Sequence, residues 1–279
     1  MLNKSFKNKI KWSKTSKLHA YKLIFRILCL LTALVFYIID RVHGSFELFS
    51  NEMFSTVVII SILGIYLIEM ILRFLPNKIE SMGCQKIFKN NYREPKDIVV
   101  ERKFKFEKSV IVVLIVWILF NLIFGILYWT NVIDAGILIL LSLTYGVCDM
   151  ICILFFCPFQ TWIIKNKCCN TCLIYNWDFA MMFTPLLFIP HWATITLGVV
   201  GLTLAIVWEI VRFKHPERFY EISNDSLKCI NCKEKLCTHK SQILKLVTKA
   251  RKDAENKIAS LKTKYLKENS NNKSNKDKK

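Results

Sequence analysis

The chain has 279 residues, of which 53% are hydrophobic and 20 are phenylalanine. It also carries 40 Lys and Arg against 21 Asp and Glu, which gives a formal net charge of +19. A chain that is both this apolar and this basic must hold apolar and charged regions apart. This composition excludes an ordinary soluble domain and favours a membrane protein with charged loops and tails.

Residues 1–22 form a basic segment that has six lysines and no acidic residue before Tyr21. This segment is too long and too rich in lysine for the usual start of a signal peptide, so the first apolar stretch is expected to remain as an anchor. We expect the basic segment to lie in the cytosol, beside anionic lipid headgroups.

The predicted fold is an all-α integral membrane protein with a six-helix bundle, spanning residues 23–213. Besides five long apolar stretches, this region contains a sixth and shorter one, 178–189, which contains Pro185 and is followed by Pro190. One helix from 178 to 213 would be about 54 Å long, which is too long for one crossing. We therefore predict a helical hairpin, whose first arm either crosses the membrane or enters it and returns to the same side. Five stretches approach the roughly 20 apolar residues of a crossing, namely 23–39, 56–75, 109–130, 132–159 and 193–213.

The distribution of basic residues predicts the orientation of the bundle. Lys and Arg are abundant before residue 22, between residues 73 and 108, and after Arg212. With six crossings, or with a re-entrant arm, all these basic regions lie on one side, as the positive-inside rule requires. We therefore predict a multi-pass protein of the cell membrane with both termini in the cytosol.

Two groups of cysteines fall on the predicted cytosolic side. The loop after the fourth helix contains Cys168, Cys169 and Cys172, and residues 214–240 of the tail contain Cys229, Cys232, Cys237 and His239. Two cysteines with two residues between them can present both sulfurs to one metal ion, and zinc takes four such ligands. The reducing cytosol disfavours disulfides, so the pattern predicts a cytosolic metal centre, with zinc as the metal.

Two arrangements of this centre remain open. The tail can close a site by itself through Cys229, Cys232, Cys237 and His239. Alternatively, Cys169 and Cys172 can join Cys229 and Cys232 in a four-cysteine site that holds the tail against the loop.

Iron–sulfur binding is the alternative to zinc. Cys157 is followed by Pro158, and a Cys-Pro pair often ends the cysteine run of a ferredoxin, although the full spacing of that run is absent here. Cys157 is therefore also a candidate ligand. Cys148 and Cys152 lie on one face of the fourth predicted helix, where packing is the favoured interpretation and soft-metal binding the other.

Asp149 and Asn121 lie within predicted membrane helices, where a charge costs about 2.5–3.5 kcal/mol on insertion scales. Ion or solute transport through these two residues is one hypothesis, and hydrogen bonding between helices is the favoured one. Glu69 is expected to pair with Arg73, and Glu209 with Arg212, from their spacing along a helix. The sequence has none of the familiar catalytic motifs, so it does not identify an enzyme.

The spacing of apolar residues in 241–268 predicts an amphipathic basic helix with one apolar stripe. The polar, lysine-rich composition of residues 269–279 predicts a disordered tail. Such a helix suits anionic lipid or a second copy of the chain, whereas nucleic-acid binding is not indicated because no aromatic platform accompanies the charge. Three functions follow: a membrane protein with a structural or sensing metal centre, a membrane redox protein, or a transporter or channel that uses Asp149.

Overall fold

The computed structural model describes residues 13–43, 52–76, 80–96, 105, 107–166, 168–232 and 237. The side chains of residues 40, 43 and 52–59 lie outside this description, as do His239, the predicted helix 241–268 and the tail 269–279. The chain divides into one compact unit, Trp12–Leu236, and a second unit made of Met1–Lys11 and Cys237–Lys279.

Every regular element in the described residues is helical, which confirms the all-α prediction. Within the part of the chain that the structure describes, four helices are long and apolar enough to cross a membrane: α1 as far as Ile39, α4, α5 and α7. Helix α2 has 22 residues, as many as α4. The α-helices are α1 (Lys14–His43), α2 (Glu52–Arg73), α3 (Met82–Gln85), α4 (Lys108–Trp129), α5 (Ala135–Leu154), α6 (Asp178–Phe183) and α7 (Trp192–Lys214).

The surface of the long helices is apolar, as a surface against lipid must be. On α4, Leu119 and Ile123 are each 56% exposed while Val113 is fully buried. A continuous apolar surface of this size is unfavourable in water on a monomeric protein, whereas it is favourable in contact with the hydrocarbon of a bilayer. Both the composition and the surface therefore identify the chain as a membrane protein.

Helix α1 begins at Lys14, nine residues before the predicted start of the first crossing. Ser16 and His19 are buried in this extension, and Lys22 bonds Glu69 of α2 at 2.6 Å. The predicted boundary at residue 22 therefore divides one continuous helix. Packing of the extension against neighbouring elements, rather than its own apolar content, extends the helix into the basic segment.

Helix α5 ends at Leu154, five residues before the predicted end of the fourth crossing. The cause is Pro158, which has no backbone N–H to continue the helical hydrogen bonds. A π-helical turn then covers Phe159–Ile164 and ends at Lys165, whose φ of 55° is left-handed. The chain thereby enters the cysteine loop with a change of direction.

The predicted hairpin region consists of the short helix α6, a 3-10 segment over Thr184–Phe188, and helix α7. His191 ends the connection, and its Nδ1 accepts a hydrogen bond from the Ala193 N–H at 3.3 Å. The two arms approach closely at Gly201, where an added Cβ would lie 3.0 Å from the carbonyl oxygen of Phe179. The absence of a side chain at Gly201 therefore lets the α7 backbone contact α6.

One end of the bundle is formed by the α4–α5 turn, the end of α1 and the tip of the hairpin. Asp134 accepts a hydrogen bond from the Ile137 amide at the start of α5 and another from Tyr37 of α1 at 3.1 Å. The rings of Trp129, at the end of α4, and Phe188, near the hairpin tip, have centroids 5.8 Å apart. These contacts place the three connections at the same level.

The opposite end is closed by three chain segments that we call the cap: 80–96, 155–177 and 215–232, with Lys167 outside the description. Arg218 donates to the Ile87 carbonyl at 2.8 Å, and the Asp225 N–H donates to the Arg93 carbonyl at 2.9 Å. Lys86 donates to the Cys172 carbonyl at 2.8 Å. The segments that follow α2, α5 and α7 therefore form one layer at one end of the bundle.

Candidate functional site

Asp149 is paired with an arginine from another helix. Arg26 of α1 places its Nη1 3.0 Å from the Asp149 carboxylate and 2.9 Å from the Gly146 carbonyl of α5. The Arg26 side chain is only 3% exposed, and its Nη2 lies 3.8 Å from Glu69 of α2. Three helices are thus joined by buried charge, which supports the interpretation of Asp149 as a packing residue.

A second buried pair joins α2 to the hairpin. Arg73 Nη2 lies 2.6 Å from Asp178, and Arg73 Nη1 donates to Asn176 at 2.9 Å. The guanidinium also lies over the ring of Phe179. The expected pairing of Glu69 with Arg73 is therefore replaced by pairs with residues distant in sequence, whereas the expected Glu209–Arg212 pair is confirmed at 3.0 Å.

Asn121 is buried in α4, where its amide donates to the carbonyl of Trp117 one turn earlier at 2.9 Å. It does not contribute to the wall of the cavity that Asp149 lines. The structure therefore does not bring together the two residues that the transport hypothesis uses.

A cavity of about 380 Å³ lies between α4, α5, α6 and the cap. The exposed surface of its wall is mostly apolar, with Trp117 and Phe120 from α4 and Tyr145 from α5, and the polar residues Asp149, Gln160 and Asp178 also line it. The rings of Trp117 and Tyr145 have centroids 4.8 Å apart. Val116, Phe120 and Cys148 belong to the wall and are also exposed on the surface of the helices, so the cavity opens on the surface that faces lipid.

Five thiols line this cavity: Cys148 and Cys152 from α5, and Cys157, Cys169 and Cys172 from the cap. Cys152 and Cys157 lie on either side of the end of α5 at Leu154. Cys157 Sγ accepts the Gln160 N–H at 3.4 Å, and Cys169 Sγ lies 3.6 Å from Gln160 Oε1. All eleven cysteines lie among the described residues, and none of them forms a disulfide.

The two C-x2-C segments adopt the same local structure. Each forms a 3-10 turn, in which the Cys172 N–H donates to the Cys169 carbonyl at 3.0 Å and the Cys232 N–H donates to the Cys229 carbonyl at 3.2 Å. Asn170, inside the first turn, points its amide at Cys232 Sγ, 3.8 Å away. The cap therefore brings the two turns side by side.

The candidate ligands nevertheless differ in exposure. Cys169 and Cys172 are buried, Cys168 and Cys232 are half-buried, and Cys229 is exposed. Burial raises the pKa of the Cys172 thiol to about 12, so the thiol stays protonated at neutral pH in the absence of a metal. Among the described residues, no three His, Cys, Asp or Glu side chains form a group that could hold a metal ion.

Lys86 supports the first cysteine turn, a role that no pattern in the sequence predicted. Its ammonium is fully buried and donates to the carbonyls of Asn170 at 3.2 Å and Cys172 at 2.8 Å. It also lies over the rings of Trp208 and Phe219. Burial lowers the pKa of Lys86 to about 8.

Comparison of this chain with known protein families, with curated proteins and with solved structures finds no match.

Proposed function

We propose that this chain is a six-crossing membrane protein that binds a small apolar molecule, drawn from the bilayer, in the cavity between α4 and α5. The observation that carries the proposal is the cavity itself, with its apolar wall and its opening on the lipid-facing surface. Its volume of about 380 Å³ lies within the range of roughly 300–1,000 Å³ that is usual for ligand pockets.

Six crossings require that the arm from Asp178 to Phe188 traverse the bundle. Asp178 pairs with the last residue of α2, on the side of the cap, and Phe188 contacts the last residue of α4, at the other end. Along α7, the matching stretch from Trp192 to Glu209 is about 26 Å long at 1.5 Å per residue. This length, close to the thickness of the hydrocarbon core, supports an even number of crossings of the cell membrane. The basic connections in the cap support a cytosolic position for both termini.

Saturable photolabelling tests the proposed binding. The probe is trifluoromethyl-phenyldiazirine, an apolar carbene precursor, with purified protein in nanodiscs and mass spectrometry to locate the label. We expect labelling of Met181, which lines the cavity, to saturate with probe concentration, and labelling of the lipid-facing Leu119 to rise in proportion to it.

The matched variants are Val116→Trp and Leu119→Trp, since both positions are exposed on α4 but only Val116 belongs to the cavity wall. Val116→Trp should reduce the saturable labelling and Leu119→Trp should leave it intact. Labelling of Met181 that never saturates, or an equal effect of both variants, would refute ligand binding in the cavity.

A metal centre in the cap is the second candidate, favoured by the contact of Asn170, inside the first C-x2-C turn, with Cys232 of the second turn. In this proposal, zinc draws Cys169, Cys172, Cys229 and Cys232 together and fixes the tail to the loop in a structural or sensing role. The alternative in which the tail closes its own site through Cys237 and His239 concerns residues of the second unit. An iron–sulfur cluster with Cys157 or Cys168 among its ligands is the redox version of the same proposal.

Metal content and visible absorbance of anaerobically purified protein separate these alternatives. Zinc without a visible band supports the structural centre, iron with sulfide supports the redox centre, and absence of both metals refutes each. In a zinc-loaded protein, Cys229→Ser/Cys232→Ser should remove the metal, whereas Cys29→Ser, on α1, should retain it. Retention of the metal by the double variant would exclude both assignments that use these cysteines.

Transport through Asp149 receives less support, because the Asp149 carboxylate is paired with Arg26 and Asn121 lies outside the cavity wall. Ion flux into liposomes that is lost in Asp149→Asn but retained in Asp134→Asn would reverse this ranking. Association of the helix 241–268 with anionic lipid or with a second copy stays a prediction.

A further inference from the structure

We infer that the molecule bound in the cavity is a lipophilic amine, whose protonated nitrogen pairs with Asp149 while its hydrocarbon body fills the rest of the cavity. This inference rests on the proposed function, because it names the ligand class of the same cavity. It adds a preference for positive charge that an apolar binding site alone does not have.

The charged side chains of the cavity wall are both acidic. Asp149 and Asp178 belong to the wall, and among the described residues that form it none is Lys, Arg or His. The whole chain has the opposite balance, with 40 Lys and Arg against 21 Asp and Glu. The wall therefore presents negative rather than positive groups to a ligand, although the protein is strongly basic.

Asp149 is the carboxylate that remains available to a ligand. Arg73 lies within hydrogen-bond distance of both oxygens of Asp178, at 2.6 and 3.4 Å, and the Asp178 side chain is only 5% exposed. Arg26 bonds Oδ2 of Asp149, whose side chain stays 19% exposed. Among the described residues, none donates a hydrogen bond to Oδ1 of Asp149. One carboxylate oxygen of Asp149 is therefore left for a donor inside the cavity.

Arg26 does not serve Asp149 alone. Its guanidinium also lies 3.8 Å from Glu69, and Lys22, which contacts Glu69 at 2.6 Å, is shared in turn with Glu80 at 3.2 Å. Two cations thus contact three carboxylates in a region where the Arg26 side chain is almost completely buried. Charges interact more strongly in such surroundings than in water, so the Asp149 carboxylate favours a cation in the cavity.

The mostly apolar surface of the wall restricts the kind of cation. A hydrated inorganic ion would lose its water in this cavity and find few polar groups in exchange. The cavity opens on the lipid-facing surface at Val116, Phe120 and Cys148, so its ligand enters from hydrocarbon. A lipophilic amine meets both conditions, since its body is apolar and its charge is confined to one nitrogen.

The aromatic residues of the wall add to the preference for an ammonium group. An ammonium near an aromatic face is attracted by the ring, whereas a carboxylate is not. Tyr145 and Asp149 are four residues apart in α5, so they lie on the same side of that helix. Five aromatic side chains line the cavity, namely Trp117, Phe120, Tyr145, Phe159 and Tyr175.

Competition between three ligands with the same hydrocarbon chain tests the charge preference. The full chain, in phosphatidylcholine nanodiscs at pH 7, is photolabelled with the diazirine in the presence of dodecylamine, dodecanol or dodecanoate at known concentrations in the bilayer. We expect dodecylamine to protect Met181 from labelling at a concentration at least about tenfold lower than dodecanol, because hydrogen bonds to a charged group are the stronger ones. Dodecanoate should protect least, and labelling of the lipid-facing Leu119 should not respond to any of the three.

Asp149→Asn should abolish this preference, so that dodecylamine protects Met181 no better than dodecanol while the effect of dodecanol persists. Asp134→Asn is the matched control, because Asp134 caps α5 at the other end of the bundle and does not belong to the cavity wall. It should keep the preference for dodecylamine. Saturable labelling of Met181 shows that Asp149→Asn is folded, and if that variant does not fold, the three ligands on the unaltered chain decide the question.

The outcomes separate failure of this inference from failure of the proposed function. Equal protection by dodecylamine and dodecanol in the unaltered chain, or stronger protection by dodecanoate, overturns the amine and leaves the cavity as a binding site. A preference for dodecylamine that persists in folded Asp149→Asn overturns the pairing with Asp149. Labelling of Met181 that never saturates in the unaltered chain overturns the proposed function as well.

Discussion

Arg26 and Asp149 form an ion pair between α1 and α5, with 3.0 Å between Arg26 Nη1 and the Asp149 carboxylate. The Arg26 side chain is 3% exposed, so its charge depends on protein partners rather than on water or lipid headgroups. The same arginine contacts Glu69 of α2, and through it three helices share one charge network.

Removal of one partner from this pair should therefore destabilise the bundle strongly. Asp149→Asn leaves the Arg26 charge without its nearest carboxylate, and loss of one partner of a buried pair costs about 3–5 kcal/mol. We expect a clear fall in the temperature of thermal unfolding in detergent, and a smaller fall for Arg26→Gln/Asp149→Asn than the two single variants predict by addition.

Asp134→Asn is the matched control, because Asp134 pairs with Arg41 in an exposed position and asparagine also caps a helix well. Its effect should stay within about 1 kcal/mol. Equal losses of stability in Asp149→Asn and Asp134→Asn would mean that burial of the Arg26–Asp149 pair does not increase its contribution to stability.

The contact between α6 and α7 predicts a second large effect. An added Cβ at Gly201 would lie 3.0 Å from the Phe179 carbonyl oxygen, and backbone cannot move aside as a flexible side chain can. Gly201→Ala should therefore lower the unfolding temperature. Gly64→Ala has nothing within 4 Å of the new methyl group and should leave that temperature unchanged or raise it, since alanine favours the helix.

Hydropathy predicted most of the fold because the apolar stretches are long and their composition alone determines which segments enter hydrocarbon. The interactions between those segments could not be predicted in the same way. The spacing of Glu69 and Arg73 indicated a pair within one helix, but Glu69 binds Lys22 and Arg73 binds Asp178. Spacing identifies neighbours on one helix, and it carries no information about which helices lie beside it.

The candidate site shows the same limit. Spacing predicted each C-x2-C turn, and both turns form with equivalent hydrogen bonds. The cavity depends on the end of α5 and on the segments that pack around it. Pro158 signalled a break, but the direction of the chain after the break is set by the cap.

Lys86 should prove necessary for the first cysteine turn. Lys86→Met keeps much of the volume of the side chain but removes two hydrogen bonds to the Asn170 and Cys172 carbonyls, which are then buried without a donor. We expect faster alkylation of Cys169 and Cys172 by a maleimide, measured by mass spectrometry. Lys89→Met changes an exposed lysine three residues away, and its alkylation rates should match those of the unaltered chain.

Glu80 should contribute stability that acid removes. Burial raises the pKa of Glu80, but Lys22 and Arg73 outweigh burial and hold that pKa below its ordinary value of 4.5. The folded state thus binds the proton more weakly than the unfolded state, so the contribution is complete above about pH 4.5 and is lost as the pH falls through the lowered pKa. The difference in unfolding temperature between the unaltered chain and Glu80→Gln should be larger at pH 7 than at pH 3, and a difference independent of pH would contradict this account.

The six-crossing topology predicts that the hairpin tip and the cap are accessible from opposite sides of the membrane. His191→Cys adds a thiol at the tip, and Val132→Cys adds one in the exposed α4–α5 turn. In intact cells, a membrane-impermeant maleimide should add one label to each variant, whereas the exposed Cys229 of the cap should react only after the membrane is opened. If the arm 178–189 re-enters instead of crossing, Val132→Cys will gain a label and His191→Cys will gain none. Labelling of Cys229 from outside intact cells would reverse the orientation derived from the basic residues.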